Sequence, residues 1–196
     1  MLGSPAAANA GIRHRTICIV ICEENMMEMS ASAPLRGNRA YISLGSNLGD
    51  SLQTLRRAAA ALGGLGTVVA ASPIYETDPV GLREQPAFLN AVVELDTTLE
   101  PLPLLDALLA IEAEGGRERG IRFGPRTLDL DLIWYDGRQL DSDRLTLPHP
   151  RAHEREFVLR PLADVAPAID LQGETVAALL ERLPPQGVRA TGTSLM

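Results

Sequence analysis

Hydrophobic and polar positions divide the chain into segments of two periods. Residues 40–44 (A-Y-I-S-L) predict a first strand, ended by the turn signal Gly45-Ser46-Asn47. Asp50 with Gln53 then forms a helix-start signature. Leu52, Leu55, Ala59 and Leu62 follow at helical spacing as far as Gly63-Gly64. Residues 67–75 are β-branched and apolar and predict a second strand, bent or broken near Pro73. A polar loop with two prolines and a glycine covers 77–86, and a third strand follows over 88–99. Residues 101–114 place Leu104, Leu105, Leu108 and Ile111 at helical spacing, stopped by Gly115-Gly116. From Thr127 the chain alternates strictly (T-L-D-L-D-L-I) until Asp136-Gly137, a hairpin-type turn.

The predicted order is β-α-β-β-α-β, the ferredoxin-like α+β pattern of helices packed on an antiparallel sheet. Beyond it, 141–150 reads as loop, 152–160 as a short helix, and 175–183 as a last helix ended by Pro184-Pro185. These extra C-terminal helices are expected to cover the second face of the sheet, giving an α/β/α three-layer arrangement. No internal repeat or linker separates a second domain. The reading is therefore a leader over 1–38 (with Met26, Met27 and Met29 as alternative starts), a single domain over 39–185 and a frayed tail over 186–196.

The last predicted strand carries the chemistry. Alternation sends Leu128, Leu130 and Leu132 into a core, while Thr127, Asp129 and Asp131 share the other face. Asp129 and Asp131 then stand about 6–7 Å apart at Cα, close enough to converge on shared hard cations. Two aspartates side by side repel unless something positive lies between them. Upstream, Gly124-Pro125 makes a rigid turn flanked by Arg122 and Arg126, whose planar charged forks suit phosphate. Carboxylates for Mg²⁺ beside guanidiniums for phosphate are the equipment of a nucleoside triphosphate site.

Composition narrows this further. The net charge is −7, which argues against general nucleic-acid binding. All 18 basic residues are arginine, so no Walker-A lysine, protein-kinase lysine or Schiff-base lysine exists. Nine of those arginines fall between Arg117 and Arg160, a local cationic cluster suited to a polyanion. Cys18 and Cys22, the only cysteines, cannot complete a zinc site or a disulfide framework, and a reducing cytoplasm is the expected compartment. No apolar run approaches the ~20 residues of a membrane span, so no membrane partner is expected.

The run R-F-G-P-R-T-L-D-L-D-L-I (122–133) resembles the signature of the 6-hydroxymethyl-7,8-dihydropterin pyrophosphokinase family of folate biosynthesis. Y-I-S-L-G-S-N-L-G-D (41–50) resembles the opening of the same family, and R-L-T-L-P-H-P-R-A-H-E-R-E-F-V-L-R-P-L (144–162) its second block. The resemblance covers roughly 40–183. It implies transfer of the pyrophosphoryl group of ATP to the hydroxymethyl group of the dihydropterin, with AMP leaving. It also implies two Mg²⁺ ions held by Asp129 and Asp131, with Arg126 beside them in the catalytic set. ATP would be bound by Glu112, Arg117, Arg119, Arg126, Leu132, Arg144, Thr146, His149 and Arg155. The flat pterin would meet Thr77, Val80, Phe88, Asn90, Phe123 and Phe157, where aromatic walls and an amide edge suit its shape. Phe88 stands where the family often has Tyr, so a hydroxyl is missing there. The expected partners are these two small molecules, and the chain is expected to act as a monomer. Two rival readings are a two-metal phosphohydrolase, which would release inorganic phosphate without a pterin, and a ligand-sensing module without turnover.

Overall fold

The structure is a computed structural model that describes residues 37–79, 84–116 and 124–196. All of these belong to one compact unit. The leader (residues 1–36 of it), Val80, Arg117, Arg119, Arg122 and Phe123 lie outside the described residues.

Strand β1 (Asn38–Ser46) is followed by helix α1 (Ser51–Leu62), β2 (Thr67–Ala71), β3 (Pro73–Thr77), β4 (Phe88–Thr97), α2 (Pro101–Glu114) and β5 (Asp129–Tyr135). The main sheet runs β3-β4-β1-β5, with β2 also paired to β4 and every pairing antiparallel. That is the order expected of the ferredoxin-like pattern, with the first strand central. Local chemistry sets the helix ends. Asp50 caps α1 by accepting the Gln53 N–H at 3.0 Å. Helix α2 opens on Pro101, where a missing N–H costs nothing, and stops at Gly115.

The second expected strand is two strands. Pro73 has no N–H to give the ladder, and the chain breaks at Ser72. Ser72 still holds the break against β4: its N–H donates to the Val92 carbonyl at 2.9 Å, and its hydroxyl accepts the Val92 N–H at 3.0 Å.

Two cores lie on opposite faces of the sheet. Ile42, Leu44, Val93, Leu95, Leu128, Leu130 and Leu132 pack against Leu55, Leu62, Leu104 and Leu108 of α1 and α2. Tyr41, Val92 and Ile133 pack against a second helical layer. That layer is α3 (Glu156–Val165) and α4 (Val176–Arg182), preceded by a 3-10 turn at Ala152–Glu154. The three layers are those expected, but the strict alternation of β5 does not last. A bulge opposite Tyr41 and Ile42 pairs Leu132 with Ile42 and Trp134 with Tyr41. Alternation carries Ile133 into the second core, but the bulge keeps Trp134 on that same side, tilted on Tyr41, and Tyr135 returns to the first core.

The other departures are C-terminal. The loop expected over 141–150 contains a small ladder, β6 (Leu140–Asp141) with β7 (Thr146–Leu147). A second two-residue ladder, β8 (Asp170–Leu171) with β9 (Glu174–Thr175), precedes α4. The frayed tail is replaced by β10 (Arg189–Ser194), which pairs with β3 at the sheet edge, and Leu195 is buried in the first core. An edge strand needs only backbone partners, which explains why its polar sequence carried no strand pattern.

Candidate active site

The site is built on the sheet face covered by the second helical layer. Register places Gly45 of β1 between Asn90 of β4 and Asp129 of β5, and places Ser43 opposite Asp131. A Cβ on Gly45 would sit 3.3 Å from Asn90 Oδ1 and 3.8 Å from Asp129 Cβ. The glycine thus keeps the floor low where the amide and the carboxylate converge. Above this floor opens a cavity of about 580 Å³. Its walls bring together Thr77, Phe88, Asn90, Arg126, Asp129, Asp131, His149, Arg155 and Phe157. Nine of the expected site residues therefore share one pocket, although they come from three strands, two loops and a helix start.

Arg126 Nη1 lies 2.5 Å from Asp129 Oδ2, and Arg155 Nη1 lies 3.7 Å from Asp131 Oδ2. Burial raises the Asp131 carboxyl above the usual carboxylate range, and neighbouring Asp129 raises it further. His149, Arg155 and Arg126 oppose this without cancelling it. At Asp131, burial and the neighbouring carboxylate thus outweigh the cations beside it. Burial lowers His149, Asp131 opposes, and Arg155 adds to the lowering, so the imidazole is held neutral at neutral pH. Its Nδ1 accepts the Arg151 N–H at 3.2 Å, which leaves Nε2–H as the donor.

The donor set fits a hard divalent cation: two carboxylates on one strand face, both opening into the same cavity. Among the described residues, no group of three or more His, Cys, Asp or Glu is arranged to hold a metal. Two carboxylates with the remaining positions left to phosphate and water is the arrangement magnesium favours.

Asn90 donates its amide N–H to the Thr77 hydroxyl at 2.9 Å, leaving its oxygen as an acceptor in the cavity. Phe88 and Phe157 supply apolar wall. Arg155 lies over the Phe157 ring, 5.6 Å from its centroid, so the cationic and aromatic parts of the pocket adjoin.

Four expected nucleotide contacts stand off the cavity wall. The Leu132 side chain is in the first core, turned away from the aspartates by the alternation of its own strand. Glu112 is buried, and its Oε1 accepts the Leu130 N–H at 2.7 Å, tying α2 to β5. Arg144 pairs with Asp106 of α2. Thr146 donates to Asp141 at 3.3 Å within its small ladder.

The pocket also contains residues that sequence reasoning missed: Ser43, Asp78, Arg151, Glu154 and Gln186. Ser43 was legible as the strand position two before Gly45, on the same face; the others depend on tertiary placement. Asn47, read only as part of a supporting turn, does more. Its Oδ1 accepts the Arg126 N–H at 2.7 Å, and its Nδ2 donates to Gln85 Oε1 and the Pro86 carbonyl, both at 3.0 Å. Its own N–H donates to the Arg126 carbonyl at 3.0 Å. One buried amide thus joins the arginine loop to the loop that leads into Phe88.

The family model for 7,8-dihydro-6-hydroxymethylpterin-pyrophosphokinase (HPPK) matches residues 41–167. The chain is 47% identical over 153 residues to the 2-amino-4-hydroxy-6-hydroxymethyldihydropteridine pyrophosphokinase of Pseudomonas aeruginosa, covering 76% of this chain and 94% of that protein. The protein of the same name from Methylorubrum extorquens is 48% identical over 153 residues, covering 76% and 96%. Among solved structures, wild-type Plasmodium falciparum HPPK-DHPS superposes with a TM-score of 0.57 at 14% identity, covering 75% of this chain and 45% of that one. The present chain thus spans less than half of that protein, and the likeness is one of fold. With most of its described residues inside the matched region and nearly the whole length of its bacterial relatives covered, the chain belongs to the HPPK family.

Proposed function

We propose that this chain transfers the pyrophosphoryl group of ATP to the hydroxymethyl group of 6-hydroxymethyl-7,8-dihydropterin, releasing AMP, as a step of folate biosynthesis. The observation that carries this reading is the pairing of Asp129 and Asp131 with Arg126, Arg155 and His149 in one cavity. The same cavity has Asn90 and two phenylalanines on its adjoining wall.

Asp129 and Asp131 would hold two magnesium ions. Metal bound there supplies charge neutralisation to the phosphate oxygens in flight and lowers the pKa of a coordinated hydroxyl. The protein's own groups do the rest. Arg126 and Arg155 flank the aspartates and offset the negative charge that moves from the attacked β-phosphorus to the departing AMP. His149, neutral and with Nε2–H free of its Nδ1 bond, donates to a phosphate oxygen and serves as a hydrogen-bonding group, not a base. On the other wall, the Asn90 oxygen accepts from the N–H edge of the pterin, while Phe88 and Phe157 enclose its faces. This holds the hydroxymethyl oxygen against the phosphates, and alignment of that kind is the main source of acceleration in phosphoryl transfer. The transfer forms one O–P bond to the pterin and breaks the bond between the α,β-bridging oxygen and the β-phosphorus.

The test is product analysis. Incubated with ATP, Mg²⁺ and the hydroxymethyl-dihydropterin, the protein should form AMP and pterin diphosphate in equal amounts. Inorganic phosphate appearing without pterin would favour a phosphohydrolase, and no turnover of either substrate would favour a binding module.

A further inference from the structure

Arg155 occupies an unusual place in the chain. It falls between the 3-10 turn and α3, in an extended conformation (φ −116°, ψ 107°) that belongs to neither helix. Each helix holds one polar atom of its two neighbouring peptide groups: the Arg155 N–H donates to the Ala152 carbonyl at 3.2 Å, and the Arg155 carbonyl accepts the Val158 and Leu159 N–H groups at 3.1 and 3.0 Å. The remaining polar atom of each is held by one distant side chain. Gln186 Nε2 donates to the Glu154 carbonyl at 2.8 Å, and Gln186 Oε1 accepts the Glu156 N–H at 3.0 Å. The first belongs to the peptide bond before Arg155 and the second to the peptide bond after it. The clamp is reciprocal, because the Gln186 N–H donates to Glu156 Oε2, while Glu156 Oε1 accepts from Arg160 at 2.8 Å.

We propose that Gln186 is a positioning residue for Arg155: its single carboxamide binds the remaining polar atom of both peptide groups around the arginine, locks planes that each helix holds on one side only, and so aims the guanidinium at Asp131 and the bound triphosphate. The inference rests on the pyrophosphokinase reading of the cavity. It concerns a residue beyond the matched stretch 41–167. Gln186 reaches its position because the C-terminal segment is strapped across the cavity rim. Gly187, at φ +81°, lets the chain turn beside Asp78, to whose Oδ2 a Cβ would stand at 3.3 Å. Arg189 then bonds Glu76 and Asp78, both at 2.9 Å, and Thr191 Oγ1 donates to the Ile74 carbonyl at 2.8 Å. The strap therefore spans two walls of the pocket, and Gln186 is its contact with the phosphate side.

A double-mutant cycle on the full chain tests this, read by ATP kcat/KM and by calorimetric affinity for magnesium α,β-methylene-ATP. Gln186→Ala should weaken both about fivefold, yet add no more than about twofold in an Arg155→Ala background, because the two act as one unit. Gln186→Met keeps the length of the side chain without charge and loses both hydrogen bonds, so a loss of the same size is expected; it replaces Gln186→Ala in the cycle should that variant not fold. Thr191→Val loosens the strap away from the clamp and should leave both readouts near wild type. Additive losses, an unchanged Gln186→Ala, or an equal loss from Thr191→Val would each overturn the proposal. A wild-type chain that binds the analogue but makes no AMP would instead sink the pyrophosphokinase reading, and the clamp would then be judged on the affinities alone.

Discussion

Asn47 shows how much one residue can organise without touching the chemistry. It is buried, and its side-chain amide makes three hydrogen bonds to residues 38, 39 and 79 positions away. Replacing it with alanine leaves the Arg126 N–H without that acceptor and frees the loop before Phe88. Removing one partner of a buried hydrogen bond costs about 1–3 kcal/mol. Asn47→Ala should therefore lower the unfolding free energy by about that amount in a urea titration, and should reduce kcat/KM for both substrates as Arg126 and Phe88 lose their common brace. A variant that loses stability while retaining full kcat/KM would remove Asn47 from the positioning argument. The contrast with Asp129 and Asp131 explains what was legible at this scale. Their shared face follows from a period of two within five residues. The role of Asn47 depends on partners far off in the sequence, so a turn was all that local chemistry could announce. Leu132 and Glu112 show the converse. Family resemblance proposed them as nucleotide contacts, while side-chain alternation and the need to tie α2 to β5 send them inward.

At the scale of elements, the start of α3 is the junction where the C-terminal strap meets the active site. Glu156 sits in the first turn of that helix, where a negative charge is favoured by the exposed N–H groups. Burial pushes its carboxyl up, but the hydrogen bonds from Arg160 and from the Gln186 N–H outweigh burial, and the net shift is downward from the ordinary 4.5. The sign follows directly. A carboxylate whose folded pKa is depressed contributes stability above its unfolded pKa, and that contribution is lost as pH falls through the folded value. Thermal unfolding from pH 7 to pH 3 should show the wild type losing Tm below about pH 4.5. Glu156→Gln should start lower at pH 7 and fall less steeply through the same window. Parallel curves would mean that Glu156 carries none of the acid sensitivity. The strap itself was the element least legible in the sequence. R-A-T-G-T-S is polar on both sides because β10 is an exposed edge strand held by the backbone of β3, so neither period appears in it. Helices α1 and α2, by contrast, were bounded correctly by Asp50, Pro101 and paired glycines, because caps act within a turn of the residues they stop.

For the molecule as a whole, the governing fact is an acidic protein that must receive a more acidic ligand. The chain carries −7, ATP adds several negative charges, and the cavity floor presents two carboxylates to it. Arg126 and Arg155 face these carboxylates directly, at 2.5 and 3.7 Å, and are partly engaged by them before any ligand arrives. At an effective dielectric of about 20, one carboxylate–phosphate contact at ~5 Å is unfavourable by about 3 kcal/mol before screening. Divalent metal should invert that interaction by placing positive charge between the two. The consequence is a change of sign in a single substitution. In EDTA, Asp131→Asn should bind ATP about tenfold more tightly than wild type, because it removes a repulsion that nothing then offsets. With Mg²⁺ present, the same substitution should weaken ATP at least tenfold and abolish formation of AMP, because a metal ligand is gone. Calorimetric titration of both proteins with ATP, with and without Mg²⁺, reads all four affinities. If Asp131→Asn moved them in the same direction under both conditions, the carboxylate would be acting as a structural group, and the case for metal between Asp131 and the triphosphate would fail.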